Sequence, residues 1–122
     1  MEKKKILLVE DDLTSVEVIE KYLSGLYSVV TALNGPEAIL KARNEIFNLV
    51  LLDIQLPLGM SGIKVLKELR QINDYENIPI IAQTAYAMNG DEQKLLEEGF
   101  DAYISKPFMK SDLLKVINGI MK

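Results

Sequence analysis

Five short strand-like runs, separated by stretches of helical period, constrain this chain more than any other feature. The runs are Ile6–Val9, Ser28–Thr31, Leu49–Leu52, Ile78–Ala82 and Ala102–Ile104. Leu49, Val50, Leu51 and Leu52 leave no polar position for a solvent face. Such a run suits a strand buried on both sides of a parallel sheet. Between the runs, Val16, Ile19, Leu23 and Leu26 fall on one helical face. So do Ile63, Leu66, Leu69 and Ile72, and later Leu113, Val116, Ile117 and Ile120.

The punctuation agrees with this pattern. Asn34-Gly35-Pro36-Glu37 reads as a turn, with Pro36 at the first helical position and Glu37 favoured by the helix dipole. Asn89-Gly90-Asp91-Glu92 opens a shorter polar helix, and Gly99 stops it before the last strand. A β-α unit repeated five times predicts a doubly wound α/β fold, a five-stranded parallel sheet with five helices and right-handed crossovers. Five such strands fit the flavodoxin-like order 2-1-3-4-5. The 122 residues carry no linker or repeat, so residues 1–122 are expected to form one domain.

Composition removes whole classes of chemistry. There is no histidine, which excludes a Ser-His-Asp triad, a histidine general base and histidine metal ligands. There is no cysteine, hence no disulfide and no thiolate site. Any metal must take oxygen ligands, which favours a hard ion such as magnesium. The net charge of −4 argues against sequence-independent nucleic-acid binding. Lys3, Lys4 and Lys5 read as a solvated leader. No apolar run approaches the roughly 18 residues of a membrane span, and a cytoplasmic location is the default expectation.

Ligands of such sheets bind beyond the carboxyl ends of the strands. At those ends stand Glu10, Asp11 and Asp12, then Asp53, then Thr84, and finally Lys106 followed by Pro107. A charge rarely ends a buried strand without a partner or a task. Taken alone, the acidic triplet also fits a solvated loop or a helix cap. Together, these residues point to a site for a cation, a phosphate or both.

Four motifs carry a resemblance to a known family: Val9-Glu10-Asp11-Asp12, Leu52-Asp53-Ile54-Gln55-Leu56-Pro57, Gln83-Thr84-Ala85 and Ser105-Lys106-Pro107-Phe108. In order and at these strand ends they resemble response-regulator receiver domains, over the whole chain. Ala85-Tyr86-Ala87-Met88 and Asp101-Ala102-Tyr103-Ile104-Ser105-Lys106-Pro107 are similar to single-domain and hybrid-kinase receivers.

The resemblance implies a phosphoacceptor module of a two-component phosphorelay. Asp53 would be the phosphoacceptor, forming an acyl phosphate. Magnesium, or manganese, would offset the charge, since carboxylates about 5 Å apart repel by roughly 3 kcal/mol at an effective dielectric of 20. Its ligands would be Asp11, Asp53, the Gln55 backbone carbonyl and, through water, Glu10. Lys106, the Thr84 hydroxyl and the Ala85 N–H would bind the phosphate. Thr84 and Tyr103 would form the switch, although Tyr103 also reads as a plain rim tyrosine. Gln55 and Tyr86 would tune dephosphorylation, and Asp12 would mainly cap a helix.

The donor would be a partner, a histidine kinase or a histidine phosphotransfer protein, because this chain has no histidine. The output would be a protein-binding surface on the fourth helix, fifth strand and fifth helix, read by an unknown downstream protein. With no DNA-binding or catalytic output segment expected after Lys122, the output would be binding; the net charge and the lack of a long apolar run leave neither nucleic acid nor membrane as an expected partner. Phe108 and Met109 belong either to that surface or to the core. The chain would not be an enzyme beyond assisting its own phosphorylation and dephosphorylation. An aspartate-nucleophile phosphatase usually has a second acid where Gln55 stands, and no phosphate-binding glycine motif of a nucleotide binder occurs. One departure is the stretch from Asp53 to Gly62, one residue longer than usual in the family, with Gly59 as the apparent insertion.

Overall fold

The structure is a computed structural model that describes residues 3–85 and 91–121. Its elements run β1 (Lys5–Val9), α1 (Leu13–Leu23), β2 (Ser28–Ala32), α2 (Gly35–Asn44), β3 (Leu49–Asp53), α3 (Gly62–Leu69), β4 (Ile80–Thr84), α4 (Asp91–Glu98), β5 (Ala102–Ser105) and α5 (Lys110–Ile120). The five strands are parallel and lie in the order β2-β1-β3-β4-β5.

The sheet separates two cores. Leu7, Val9, Val50, Leu52, Ile80 and Ala82 pack with α2, α3 and Leu95 of α4 on one face. Ile6, Leu8, Leu49, Leu51, Ile81 and Ile104 pack with α1 and α5 on the other. Successive strand side chains point to opposite faces, so the apolar positions of the three central strands have a core to enter on either side. This accounts for the unbroken apolar run of β3, buried at all five positions.

Several boundaries differ from the sequence reading. Strand β4 starts at Ile80 rather than Ile78, because Pro79 has no N–H for the ladder; its carbonyl still accepts from Val50 N at 2.9 Å. Helix α1 ends at Leu23, with Gly25 at φ +83, so Leu26 leaves the helical face and is 48% exposed. Helix α3 ends at Leu69, before Ile72. Helix α2 begins at Gly35, one residue ahead of Pro36, with Asn34 Oδ1 accepting from Glu37 N at 2.8 Å. Lys5 belongs to β1 and pairs with Glu45 at 2.5 Å, so it is not leader. Gly99, at φ +121, follows the end of α4. Asn89 and Gly90 lie outside the described residues.

Two polar clasps hold the amino edge of the sheet. The Arg70 guanidinium donates to the carbonyls of Tyr75, Ile78 and Gly99 at 3.0, 2.7 and 3.2 Å, and to Asp101 Oδ2 at 2.9 Å. Asp101 Oδ2 also accepts from Ile80 N at 2.8 Å. The buried Tyr75 hydroxyl donates to Glu45 O at 2.6 Å and accepts from Phe47 N at 3.1 Å.

Candidate phosphoacceptor site

The chemistry-bearing side chains follow from strand alternation. Leu8, Leu51, Ile81 and Ile104 all enter the α1/α5 core. Two residues further along each strand, on the same face, come Glu10, Asp53, Gln83 and Lys106. These four form a polar row that continues an apolar row, at the carboxyl edge of the sheet. Thr84 and Tyr103 belong to the opposite face, where Tyr103 packs on the α2–α4 core.

Within the row, two carboxylates share one ammonium. Lys106 Nζ lies 2.5 Å from Glu10 Oε1 and 2.9 Å from Asp53 Oδ2. Each carboxylate gives its other oxygen to a backbone N–H two residues on: Gln55 N to Asp53 Oδ1 at 2.9 Å, and Asp12 N to Glu10 Oε2 at 3.2 Å. Both carboxylates are nearly closed to solvent, whereas Asp11 is exposed. Burial, with Asp53 beside it, pushes the Glu10 carboxyl up from 4.5 to about 7, against the pull of Lys106. Burial alone would lower the Lys106 ammonium, but Asp53 and Glu10 outweigh it and raise it. One cation serving two acids leaves a proton stabilised on Glu10.

Oxygens of Glu10, Asp11 and Asp53 all lie within 4.8 Å of one another. This all-oxygen donor set fits a hard divalent cation and offers nothing to a soft one. The acids open onto a cleft of about 470 Å³ lined also by Asp12, Gln55, Leu56, Pro57, Ala85 and Lys106. Asp12 occupies the N-cap of α1 without a regular cap bond, and its carboxylate accepts from Ser15 Oγ at 2.8 Å. That hydroxyl holds the Asp12 carboxyl below its ordinary value.

The loop after Asp53 is pinned at its far end. Gly62 N donates to Ile54 O at 2.8 Å, and a Cβ on Gly62 would collide with the Asp53 carbonyl oxygen. Within the loop, Leu58 and Gly59 have φ of +66 and +67, a left-handed pair that bulges outward. Leu58 is 71% exposed, so the extra residue is taken up in solvent.

On the other face, Thr84 ends β4 and its carbonyl accepts from Lys106 N at 2.8 Å. Tyr103 is half-buried; burial raises its hydroxyl above the ordinary value, and Glu92 of α4 beside it adds to the effect. Phe108 is half-buried against the α1/α5 core, and Met109 is 68% exposed. Tyr86, Ala87 and Met88 lie outside the described residues. The sequence reading missed Gln83, although counting by two from Ile81 places it beside Asp53.

The chain is similar to known proteins in both sequence and fold. Residues 6–118 match the family model of the response regulator receiver domain. The chain is 35% identical to the polar-differentiation response regulator DivK of Brucella anthropi, over 97% of this chain and 96% of that one. It superposes on the receiver domain of sensor histidine kinase PA1611 of Pseudomonas aeruginosa, determined with a magnesium ion in its active-site cleft (TM-score 0.89, 32% identity, 98% of each chain). It also superposes on the chemotaxis response regulator CheY4 of Vibrio cholerae (TM-score 0.90, 28% identity, 97% of this chain and 98% of that one). No helix among the described residues is long and apolar enough to cross a membrane. A parallel sheet in the order 2-1-3-4-5, an acidic edge with a half-buried lysine, and these relatives identify the chain as a member of the response regulator receiver domain family, the phosphoacceptor signalling modules of two-component systems.

Proposed function

We propose that Asp53 is the phosphoacceptor of this module. One observation carries the reading: Asp53 ends the central strand β3, meets Lys106 at 2.9 Å and shares a 4.8 Å cluster with Asp11 and with Glu10, which meets the same ammonium from β1. An Asp53 oxygen attacks phosphorus of a partner's phosphohistidine. The P–O bond forms as the P–N bond breaks, and the leaving electron pair returns to the imidazole nitrogen, which takes up a proton. Hydrolysis later returns the carboxylate and inorganic phosphate.

Asp11, Asp53, the Gln55 carbonyl and, through water, Glu10 would hold magnesium or manganese, which when bound would supply charge neutralisation for the phosphoryl oxygens. Lys106 contacts the transferred phosphate as a point charge, and the Thr84 hydroxyl and Ala85 N–H donate to its oxygens. Gln55 and Tyr86 govern water access and so the phosphoryl lifetime.

Phosphorylation draws Thr84 toward the phosphate, and Tyr103 follows on the same face. Between α4, β5 and α5 lies an apolar groove of about 510 Å³, with Leu96, Tyr103, Val116 and Ile120 in its walls. That groove supports a partner-binding surface there. Receiver domains act between phosphodonor kinases and downstream effectors. Here the donor is a histidine kinase or histidine phosphotransfer protein, and the receiver, residues 1–122, works in the cytoplasm. It is no enzyme in the ordinary sense, because it promotes only its own phosphorylation and dephosphorylation.

Incubation with magnesium and acetyl phosphate should add the mass of one phosphoryl group to the intact protein, and Asp53→Ala should abolish the gain. No gain from acetyl phosphate or from a donor kinase would reject the reading.

A further inference from the structure

Lys106 reaches its partners only by crossing a strand. In the sheet order, β4 lies between β5 and β3. Two strand spacings, about 10 Å, separate β5 from β3. Lys106 Nζ nevertheless lies 2.9 Å from Asp53 Oδ2 and 2.5 Å from Oε1 of Glu10, which follows β1, one strand further still. Its four-carbon stem therefore runs over β4, on the α1/α5 face.

The β4 residue on that face at that level is Gln83. It is in register with Asp53 on one side and Ile104 on the other. Its side chain is fully buried, and neither Nε2 nor Oε1 has a hydrogen-bond partner among the described residues. The preceding β4 position on the same row holds Ile81, a plain core residue. An amide stripped of water and left unpaired is unfavourable, and an unbranched apolar side chain of similar size would fill the same space better. A buried polar group kept under such a cost calls for a state in which it is used.

We propose that Gln83 is a positioning residue for Lys106: its carboxamide oxygen accepts from Nζ once Asp53 and Glu10 turn to the cation and the phosphoryl group, and so steadies the ammonium over the cleft. An ammonium carries three donors. In the unphosphorylated protein two are directed to Glu10 and Asp53. A phosphate oxygen replaces at most one of these at the moment of transfer, and Gln83 is the neutral acceptor beneath the stem. This role rests on the assignment of Asp53 as phosphoacceptor.

The test is Gln83→Met, which keeps length and removes both polar atoms. With magnesium and acetyl phosphate, the maximal rate of phosphorylation should fall about tenfold, the scale of one charge-assisted hydrogen bond. The magnesium concentration at half-saturation should stay unchanged, since Gln83 is not a ligand. Melting of the metal-free protein should be unaltered or raised, which a loss of structure would not produce. In the wild-type protein, the Gln83 side-chain amide resonance should shift when Asp53 is phosphorylated. An unchanged rate in Gln83→Met, or an unmoved resonance in phosphorylated wild type, overturns the role of Gln83 alone. Failure of the wild type to take up a phosphoryl group overturns the assignment of Asp53, and the role of Gln83 with it.

Discussion

At the amino edge of the sheet, Arg70 distributes one guanidinium over backbone carbonyls from two loops and one carboxylate; at the carboxyl edge, Lys106 divides one ammonium between two buried acids. The first arrangement satisfies neutral acceptors and an ion pair at once. It ties the end of α3 to the start of β4 and to the α4–β5 turn. The second concentrates like charges. Carboxylate oxygens within 4.8 Å repel by about 3 kcal/mol at an effective dielectric of 20. The amino edge is built for stability, and the carboxyl edge gives up stability for chemistry.

Substitutions should separate the two edges. Arg70→Ala removes the donor to several carbonyls and frees Asp101, so urea denaturation should show a loss of about 2–4 kcal/mol. Magnesium affinity should not change. An Arg70→Ala protein of full stability, or one with altered magnesium affinity, would break the contrast. Tyr75→Phe is narrower. It leaves the Phe47 N–H and the Glu45 carbonyl without their hydroxyl partner, at a cost of about 1–3 kcal/mol, again with phosphorylation intact.

Acidity tests the carboxyl edge. The Glu10 carboxyl is raised from 4.5 to about 7 by its burial. The folded state therefore binds this proton more tightly than the unfolded chain, so its stabilising contribution is complete below about 4.5 and is lost as pH rises to about 7. Metal-free protein should melt at falling temperature across that window. Magnesium binding needs the ionised carboxylate, so its affinity should rise about tenfold per pH unit toward pH 7 and then level off. Calorimetric titrations at several pH values check this slope. A flat profile would mean that Glu10 is already ionised or takes no part in binding.

Legibility in the sequence divides along the same line. Glu10, Asp11, Asp53 and Lys106 stood out because strands buried on both faces read as unbroken apolar runs, which makes a terminal charge conspicuous. Arg70 and Tyr75 did not, since their partners include Gly99, Asp101 and Glu45, about 30 residues away, with no local pattern linking them. The start of β4 is hard to read because Ile78 and Pro79 are apolar, and only the missing N–H of Pro79 distinguishes them from strand. Leu26 keeps helical spacing, but the turn at Gly25 ends the helix before it. Helix α4 was weak in the sequence because Leu95 is its single buried residue. Gln83 was overlooked as a neutral residue beside the more conspicuous Thr84.

The most direct test of the account is to locate the phosphoryl group. Borohydride reduces an acyl phosphate to an alcohol, so protein treated with magnesium and acetyl phosphate, then borohydride, should yield a peptide in which Asp53 has become homoserine. Reduction at Glu10, Asp11 or Asp12 instead, or at no residue in protein that has gained the phosphoryl mass, would contradict the assignment of Asp53 as the acceptor.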